Sequence, residues 1–227
     1  MSIIAIITAR GGSKRIPKKN IKDFMGKPMI AYAINSALES NLFDEVMVST
    51  DSEEIAEISK KYGAKVPFLR SEKTANDNAT TFDALEEVIN EYKKISKNFD
   101  ELCCIYPCVP FLRAQTLIEA YKLFKGNDAL QPVCKYPAPI EWAMKIENGL
   151  LIPNDRTAQM IRSQDIEPKY FDAGMFYYCN IEKMLEYKSL IPPKTAGYVI
   201  NESECQDIDT IEDWKAAEVK YKVIYGI

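Results

Sequence analysis

The chain has 227 residues, 47% of them hydrophobic, and a formal net charge of -4, enough to bury one sizeable core but not two full domains. That charge leaves no overall electrostatic footprint for nucleic acid or an acidic membrane surface. Histidine is absent, which excludes Ser-His-Asp and Cys-His catalysis, histidine-ligated zinc and imidazole proton shuttling.

The chain alternates short apolar runs with amphipathic stretches of helical period, the pattern of an α/β fold with a mostly parallel sheet. "IIAIIT", Ile3 to Thr8, is the first strand and runs into the basic turn "ARGGSKRIPKKN". Pro28 suits the start of a helix whose apolar face carries Ile30, Ala33, Ile34, Ala37 and Leu38. "EVMVST" is the next strand and closes on Asp51. "SEEIAEISKKYGA" follows as a helix, with Glu early, Lys late and Gly63 at its stop. "VPFL" reads as a short strand ending at Arg70, and the polar loop "SEKTANDNATT" leads to a helix carrying Phe82, Leu85, Val88, Ile89 and Tyr92. "ELCCIYP" is a central strand, Ala114 to Phe124 a helix and "ALQPVCK" another strand. From about residue 136 to 170 the periodicity fades among Pro137, Pro139, Pro153 and Pro168, so this stretch is an excursion inserted into a single domain spanning 1–227. The chain returns through "GMFYYCN", a short helix after Ile181, the strand "GYVI" and a final helix from about Ile211.

The six cysteines include no Cys-x-x-Cys pair and read as buried free thiols in a reducing compartment. With no run of about 18 apolar residues and no cleavable leader, the expectation is a soluble, cytoplasmic protein.

Arg10, Lys14, Arg15, Lys18 and Lys19 surround a Gly-Gly-Ser turn at the carboxyl end of the first strand, where ligands collect in open parallel sheets. Glycine lets backbone N–H groups approach phosphate oxygens, while Arg supplies a planar fork and Lys a point charge. Neither G-x-x-x-x-G-K-[ST] nor G-x-G-x-x-G is present; Gly-Gly, Ser, five cations and Asn20 after a strand favour a triphosphate site, the alternative being a solvated basic loop. A polyphosphate calls for Mg²⁺ held by one or two carboxylates. In an extended "DID", Asp207 and Asp209 share a face; alternatively, Asp209 or Thr210 only caps the final helix.

"IIAIITARGGSKRIPKKNIKDFMGKPMIAYAI", "FDEVMVSTDSEEIAEISKKYGA", "VPFLRSEKTANDNATT", "RSQDIEPKYFDAG" and "QDIDTIEDW" resemble the successive motifs of the CMP-sialate synthetase (acylneuraminate cytidylyltransferase) family, in order and over nearly the whole chain. The resemblance implies a three-layer α/β/α Rossmann-like nucleotidyltransferase fold with a mostly parallel sheet and a small dimerisation excursion. It also implies a homodimer that uses Mg²⁺ to join CTP to a nine-carbon 2-keto sugar acid, releasing pyrophosphate. The first motif maps onto Arg10, Gly12, Ser13, Lys14, Lys19 and Asn20: Arg10 and Lys14 would hold phosphates, Lys19 would neutralise charge and Asn20 would contact the nucleotide or phosphate. Arg70 takes the place of a nucleotide-site arginine. Asp77 and Thr81 match the D-x-A-[ST]-[ST] element beside nucleotide and sugar. Arg162, with Gln164 in the same "RSQD", would meet the acidic sugar, from the neighbouring subunit. Asp207 and Asp209 match the metal carboxylates, and Arg10, Lys14, Lys19 and Asp209 form the implied catalytic set.

Two departures bear on the sugar. Relatives acting on neuraminic acid have Gln-Pro-Thr-Ser-Pro where this chain has "YPCVP", so Tyr106 replaces a sugar-contacting Gln, and Cys108 and Val109 replace two hydroxyls. They have Asn-Gly-Ala where this chain has "AGM", so Ala173 replaces an Asn. A less polar wall suits an acid with fewer hydroxyls, such as pseudaminic acid, with legionaminic, N-acetylneuraminic and 3-deoxy-manno-octulosonic acids as alternatives. A non-catalytic nucleotide-binding protein would bind CTP without turnover.

Overall fold

Strand β1 (Ile3–Thr8) is buried along almost its whole length, and its side chains feed two separate cores. Ile3, Ala5 and Ile7 pack with Ile30, Ala33, Ile34 and Ala37 on one face, whereas Ile4 and Ile6 pack with Leu85, Val88 and Ile89 on the other. Covering on both faces is why the run is apolar without alternation. The computed structural model describes residues 1–226. After β1 come the two-residue strands β2 (Asp23–Phe24) and β3 (Lys27–Pro28), helix α1 (Met29–Glu39), β4 (Glu45–Ser49) and α2 (Glu53–Lys61). The middle of the chain forms α3 (Glu72–Ala75), α4 (Thr81–Lys94), β5 (Glu101–Ile105), α5 (Ala114–Phe124) and β6 (Ala129–Lys135). It ends with β7 (Met144–Glu147), β8 (Leu150–Pro153), β9 (Tyr170–Asp172), β10 (Phe176–Asn180), α6 (Ile181–Tyr187), β11 (Thr195–Val199) and α7 (Ile211–Tyr225).

The main sheet has the order β11-β6-β10-β5-β1-β4, with β9 also beside β6. β1 pairs in parallel with β4 and β5, and β6 with β11, while β10 is antiparallel to both β5 and β6. Helices α1, α2 and α5 cover one face and α4 and α6 the other, giving the expected three-layer α/β/α fold. Because β1, β4, β5 and β6 run the same way, their carboxyl ends share one edge. No helix among the described residues is long and apolar enough to cross a membrane. All six cysteines are free.

The expected strand at "VPFL" does not form. Pairing beyond β4 stops at Lys65, which donates its N–H to Val46 O and accepts from Val48 N, each at 2.9 Å. Pro67, two residues on, has no N–H to continue a ladder. Conversely, the polar loop after Arg70 contains the single helical turn α3.

The excursion holds the β7–β8 hairpin, turned at Asn148 and Gly149 with φ of 50° and 79°, the left-handed pairing that Asn-Gly favours. Trp142 ties it to the following stretch through Nε1, which donates to Ala158 O at 3.0 Å. Ile146, Leu150, Leu151 and Met160 are exposed. The excursion leaves from Lys135 and returns at Tyr170, and these two residues are register partners, so it stands at the same sheet edge as the basic turn.

Candidate active site

A third apolar cluster fixes the basic turn against the end of the chain. Ile16 from the turn, Phe24, Tyr32, Ile208 and Trp214 are buried together, with Phe24 edge-on to Tyr32, Trp214 and Tyr221 at ring separations of 5.7, 5.4 and 5.5 Å. Burial of Ile208 points its two neighbours, Asp207 and Asp209, away from that cluster. Thr210 takes the helix cap: its Oγ1 accepts from Asp213 N at 3.1 Å, and Asp213 Oδ2 accepts from Thr210 N at 2.7 Å. The Asp209 carboxylate is therefore left to the turn, where Oδ1 receives Arg15 Nη2 at 2.8 Å and Lys19 Nζ at 3.4 Å. Lys19 Nζ also donates to Ile208 O at 2.7 Å. Asp207 is exposed on an extended loop rather than in a strand.

Thr8, Arg10, Ser13, Lys14, Arg15, Lys19, Asn20, Pro107 and Asp209 surround a cleft of about 370 Å³. Asn20 is buried; its Nδ2 donates to Arg10 O at 2.9 Å and its Oδ1 accepts from Cys108 Sγ at 3.4 Å. Burial pushes the Cys108 thiol up to about 12, so it stays protonated as that donor. Asp51, at the end of β4, accepts Gly11 N at 2.7 Å. A Cβ on Gly11 would lie 3.1 Å from Ser52 Cβ, whereas nothing lies within 4 Å of one on Gly12. The steric need for glycine in this turn thus falls on Gly11; Gly12, the expected phosphate-facing glycine, is exposed and open.

An adjoining cleft of about 240 Å³ shares Thr8 and Arg10 and is completed by Arg70, Asp77, Thr81 and Tyr106. Arg70 donates through Nε to Ser49 Oγ at 3.0 Å and through Nη2 to Ser49 O at 2.8 Å. Burial pulls its pKa down, against the pull of Asp51 and Glu87. Thr80 caps α4 in a reciprocal box with Asp83, which places Thr81 Oγ1 3.3 Å from Tyr106 OH. Burial raises the Tyr106 phenol, and its ring meets that of Tyr177 at 5.5 Å. Tyr177 OH in turn donates to Asp172 Oδ2 at 2.6 Å. The bend that brings β9 and β10 to this wall is made at Gly174, φ 62°, whose N–H is held by Asp172 Oδ1 at 2.8 Å.

The structure therefore brings together Arg10, Ser13, Lys14, Lys19, Asn20 and Asp209, and beside them Arg70, Asp77, Thr81 and Tyr106. It does not bring Arg162 or Gln164 to either cleft. Arg162 pairs with Asp165 at 3.0 Å, and Gln164 lines a separate hollow with Tyr136 and Lys169 at the base of the excursion. Nor do Val109 and Cys108 form a sugar wall: Val109 is in the core and Cys108 is engaged by Asn20. Asp51 and Tyr177 were missed by sequence reasoning, and Arg15, counted among the cations of the turn, was given no role of its own. Arg15 lay in the basic turn and Asp51 at a strand's carboxyl end, both legible signals; Tyr177 carried none.

The sequence profile of the cytidylyltransferase family matches residues 4–188. The chain is 39% identical to the pseudaminic acid cytidylyltransferase of Campylobacter jejuni subsp. jejuni serotype O:23/36 (strain 81-176), over 98% of this chain and 97% of that protein. It is 33% identical to the CMP-N,N'-diacetyllegionaminic acid synthase of Legionella pneumophila, over 96% and 95%. Among solved structures, CMP:2-keto-3-deoxy-manno-octonic acid synthetase complexed with CTP matches with a TM-score of 0.68 over 100% of both chains, at 17% identity, a likeness of fold.

Proposed function

The chain belongs to the cytidylyltransferase family, and on that premise we propose that it transfers CMP from CTP to the anomeric hydroxyl of pseudaminic acid, a nine-carbon 2-keto sugar acid, with release of pyrophosphate. The observation that carries this reading is the convergence of Arg10, Lys14, Lys19 and Asp209 on one cleft at the carboxyl end of β1.

In this reading Arg10 and Lys14 take the negative charge that grows on pyrophosphate as the bond from the α-phosphorus to its bridging oxygen breaks. The sugar hydroxyl oxygen forms the new bond to that phosphorus, in line with the leaving group. With no histidine in the chain, the hydroxyl proton passes to a carboxylate or to water. Such catalysis rests on positioning and charge neutralisation. The braces on the turn serve that end: Asp51 on Gly11, Asn20 on Arg10 and Lys19 on Ile208.

One carboxylate at the cleft, that of Asp209, offers the hard oxygen that suits Mg²⁺. Asp207, just before Ile208, does not line the cleft, and no group of three His, Cys, Asp or Glu among the described residues gathers closely enough to hold a metal. Mg²⁺ is commonly held by one or two carboxylates, with water and substrate phosphate completing its shell. When bound, it supplies charge neutralisation at the α-phosphate and the leaving group.

Tyr106 is the chain's reader of the sugar, with Thr81 at the boundary between nucleotide and sugar. Arg162 and Gln164 meet the sugar from a second copy, in a homodimer built on the exposed apolar side chains of the excursion. The deciding experiment is pyrophosphate release with CTP across pseudaminic, legionaminic, N-acetylneuraminic and 3-deoxy-manno-octulosonic acids. Release with pseudaminic acid alone, or far above the rest, is expected. No release with any acid, despite CTP binding, would leave a nucleotide-binding protein.

A further inference from the structure

Arg10 and Lys14 are already engaged by a carboxylate of the protein itself. Arg10 Nη1 donates to Asp77 Oδ1 at 2.8 Å and Lys14 Nζ to Asp77 Oδ2 at 2.5 Å. One group therefore presents a separate oxygen to each cation, much as one phosphate would. The surrounding loop, between α3 and α4, is braced without Asp77's help: Asn76 Oδ1 accepts the N–H groups of Asn78 and Ala79 at 2.8 and 3.1 Å. Among the described residues the Asp77 carboxylate bonds to nothing else, and its side chain is 51% exposed. Ion pairs so open to water are weak and exchange readily. Lys14 first, and Arg10 after it, hold the Asp77 carboxyl below the usual carboxylate range, so the competitor stays charged at neutral pH.

We propose that Asp77 competes with anionic ligands for Arg10 and Lys14, and so makes the basic turn selective for ligands that carry several phosphate charges. The inference rests on the reading of the turn as a phosphate site. An anion that meets only these two cations gains little more than it displaces. A triphosphate, whose further charges extend beyond these two cations, keeps a surplus. When pyrophosphate departs, Asp77 recaptures both cations, which weakens inhibition by that product. Asp77 is thus a specificity-determining residue for the number of charges on the ligand, distinct from the nucleotide contact that family resemblance implies.

The test is calorimetric titration of the full-length protein with sodium pyrophosphate. Breaking two exposed ion pairs is the work that Asp77→Asn removes, so this variant is expected to bind pyrophosphate about tenfold more tightly than the parent. Inhibition of turnover by pyrophosphate should strengthen in parallel. Glu54→Gln removes a carboxylate that pairs with Lys18 of the same turn at 2.7 Å and serves as the control for general charge; its affinity should stay within about twofold of the parent. Unchanged or weaker pyrophosphate binding in Asp77→Asn, with Lys14→Ala still losing affinity, would overturn the competition while sparing the phosphate site. Equal gains in Asp77→Asn and Glu54→Gln would reduce the effect to net charge and also overturn it. If Lys14→Ala binds pyrophosphate as the parent does, the phosphate reading of the turn fails and this inference fails with it.

Discussion

Lys14 and Lys19 lie on one turn but serve different ends. Lys14 is 78% exposed and, among the described residues, bonds only to Asp77. Lys19 is 21% exposed and clamps the chain at Ile208 and Asp209. Asp209 in turn ties the turn to the end of the chain, so removing its carboxylate frees Arg15 and, in the proposed reading, also removes a metal ligand. Asp209→Ala is expected to lose most turnover while keeping its melting transition, because Thr210 and Asp213 cap α7 without it. Full activity at ordinary Mg²⁺ would reduce Asp209 to a partner for Arg15. In the proposed reading the sugar side rests on Tyr106. A phenol offers one hydroxyl on a rigid ring where Gln offers an amide donor and acceptor, and each unmatched buried hydroxyl costs about 1 to 3 kcal/mol. On this basis kcat/KM for pseudaminic acid should exceed that for N-acetylneuraminic acid by about a hundredfold or more. Tyr106→Gln should narrow that gap by weakening the first substrate; comparable turnover of both acids by the parent protein would refute the assignment of specificity. At this scale the sequence revealed residue types but not their partners. Lys14 and Arg10 were legible as cations at the carboxyl end of a strand, yet their meeting with Asp77 depends on a loop more than sixty positions away. Val109 looked like part of a substituted wall and is core, because nothing local separates a strand-end Val that faces the sheet from one that faces a ligand.

Elements were legible where apolar period and end signals agreed. The helix expected over Ala114 to Phe124 has those bounds, and α2 begins after Ser52, whose hydroxyl accepts Ile55 N, and ends before Gly63 at φ 95°. "VPFL" misled because four residues are too few to show a period and Pro67 blocks the ladder. α3 went unseen for the same reason: it is one turn with only Thr74 buried. The basic turn was recognisable as an element, but its internal geometry was not. The family motif singled out Gly12, yet it is a Cβ on Gly11 that would crowd Ser52, while Gly12 is open. Gly11→Ala is accordingly expected to shift the turn by a few tenths of an ångström off Asp51 and to cut turnover severalfold, with little change in melting temperature because the site is at the surface. Gly12→Ala serves as the comparison: any loss there must come from the ligand, since no protein atom is displaced. Equal activity in Gly11→Ala and the parent would show that the turn re-forms without that packing.

At the scale of the whole molecule, the sheet and the excursion have different characters. The sheet is covered on both faces by continuous cores. The excursion exposes Met144, Ile146, Leu150, Leu151 and Met160, more apolar surface than a free hairpin carries without a partner. In the proposed homodimer these side chains are the contact. Ile146→Asp combined with Leu151→Asp should yield monomers in sedimentation velocity and, by withdrawing the second copy's Arg162, raise KM for the sugar acid more than for CTP. A dimer that survives both substitutions would place the interface elsewhere. The alternation of strands and helices made an α/β fold with a mostly parallel sheet legible from sequence, since each strand–helix repeat must bury both partners, and the family resemblance supplied its three layers. The reversed direction of β10 was not, because "GMFYYCN" carries the same apolar signature whichever way it enters the sheet.

The pairing of Lys135 with Tyr170 has a consequence for how such a chain diversifies. The two ends of the excursion sit side by side, so everything between them is topologically the loop of a hairpin, and the entropic cost of lengthening such a loop rises only slowly. The segment behaves as a cassette. It can lengthen, shrink or change its side chains while β1, β4 and β5, which frame the basic turn, keep their register. On the proposed reading, the sugar contacts that Arg162 and Gln164 supply can therefore change without rebuilding the half that holds the basic turn.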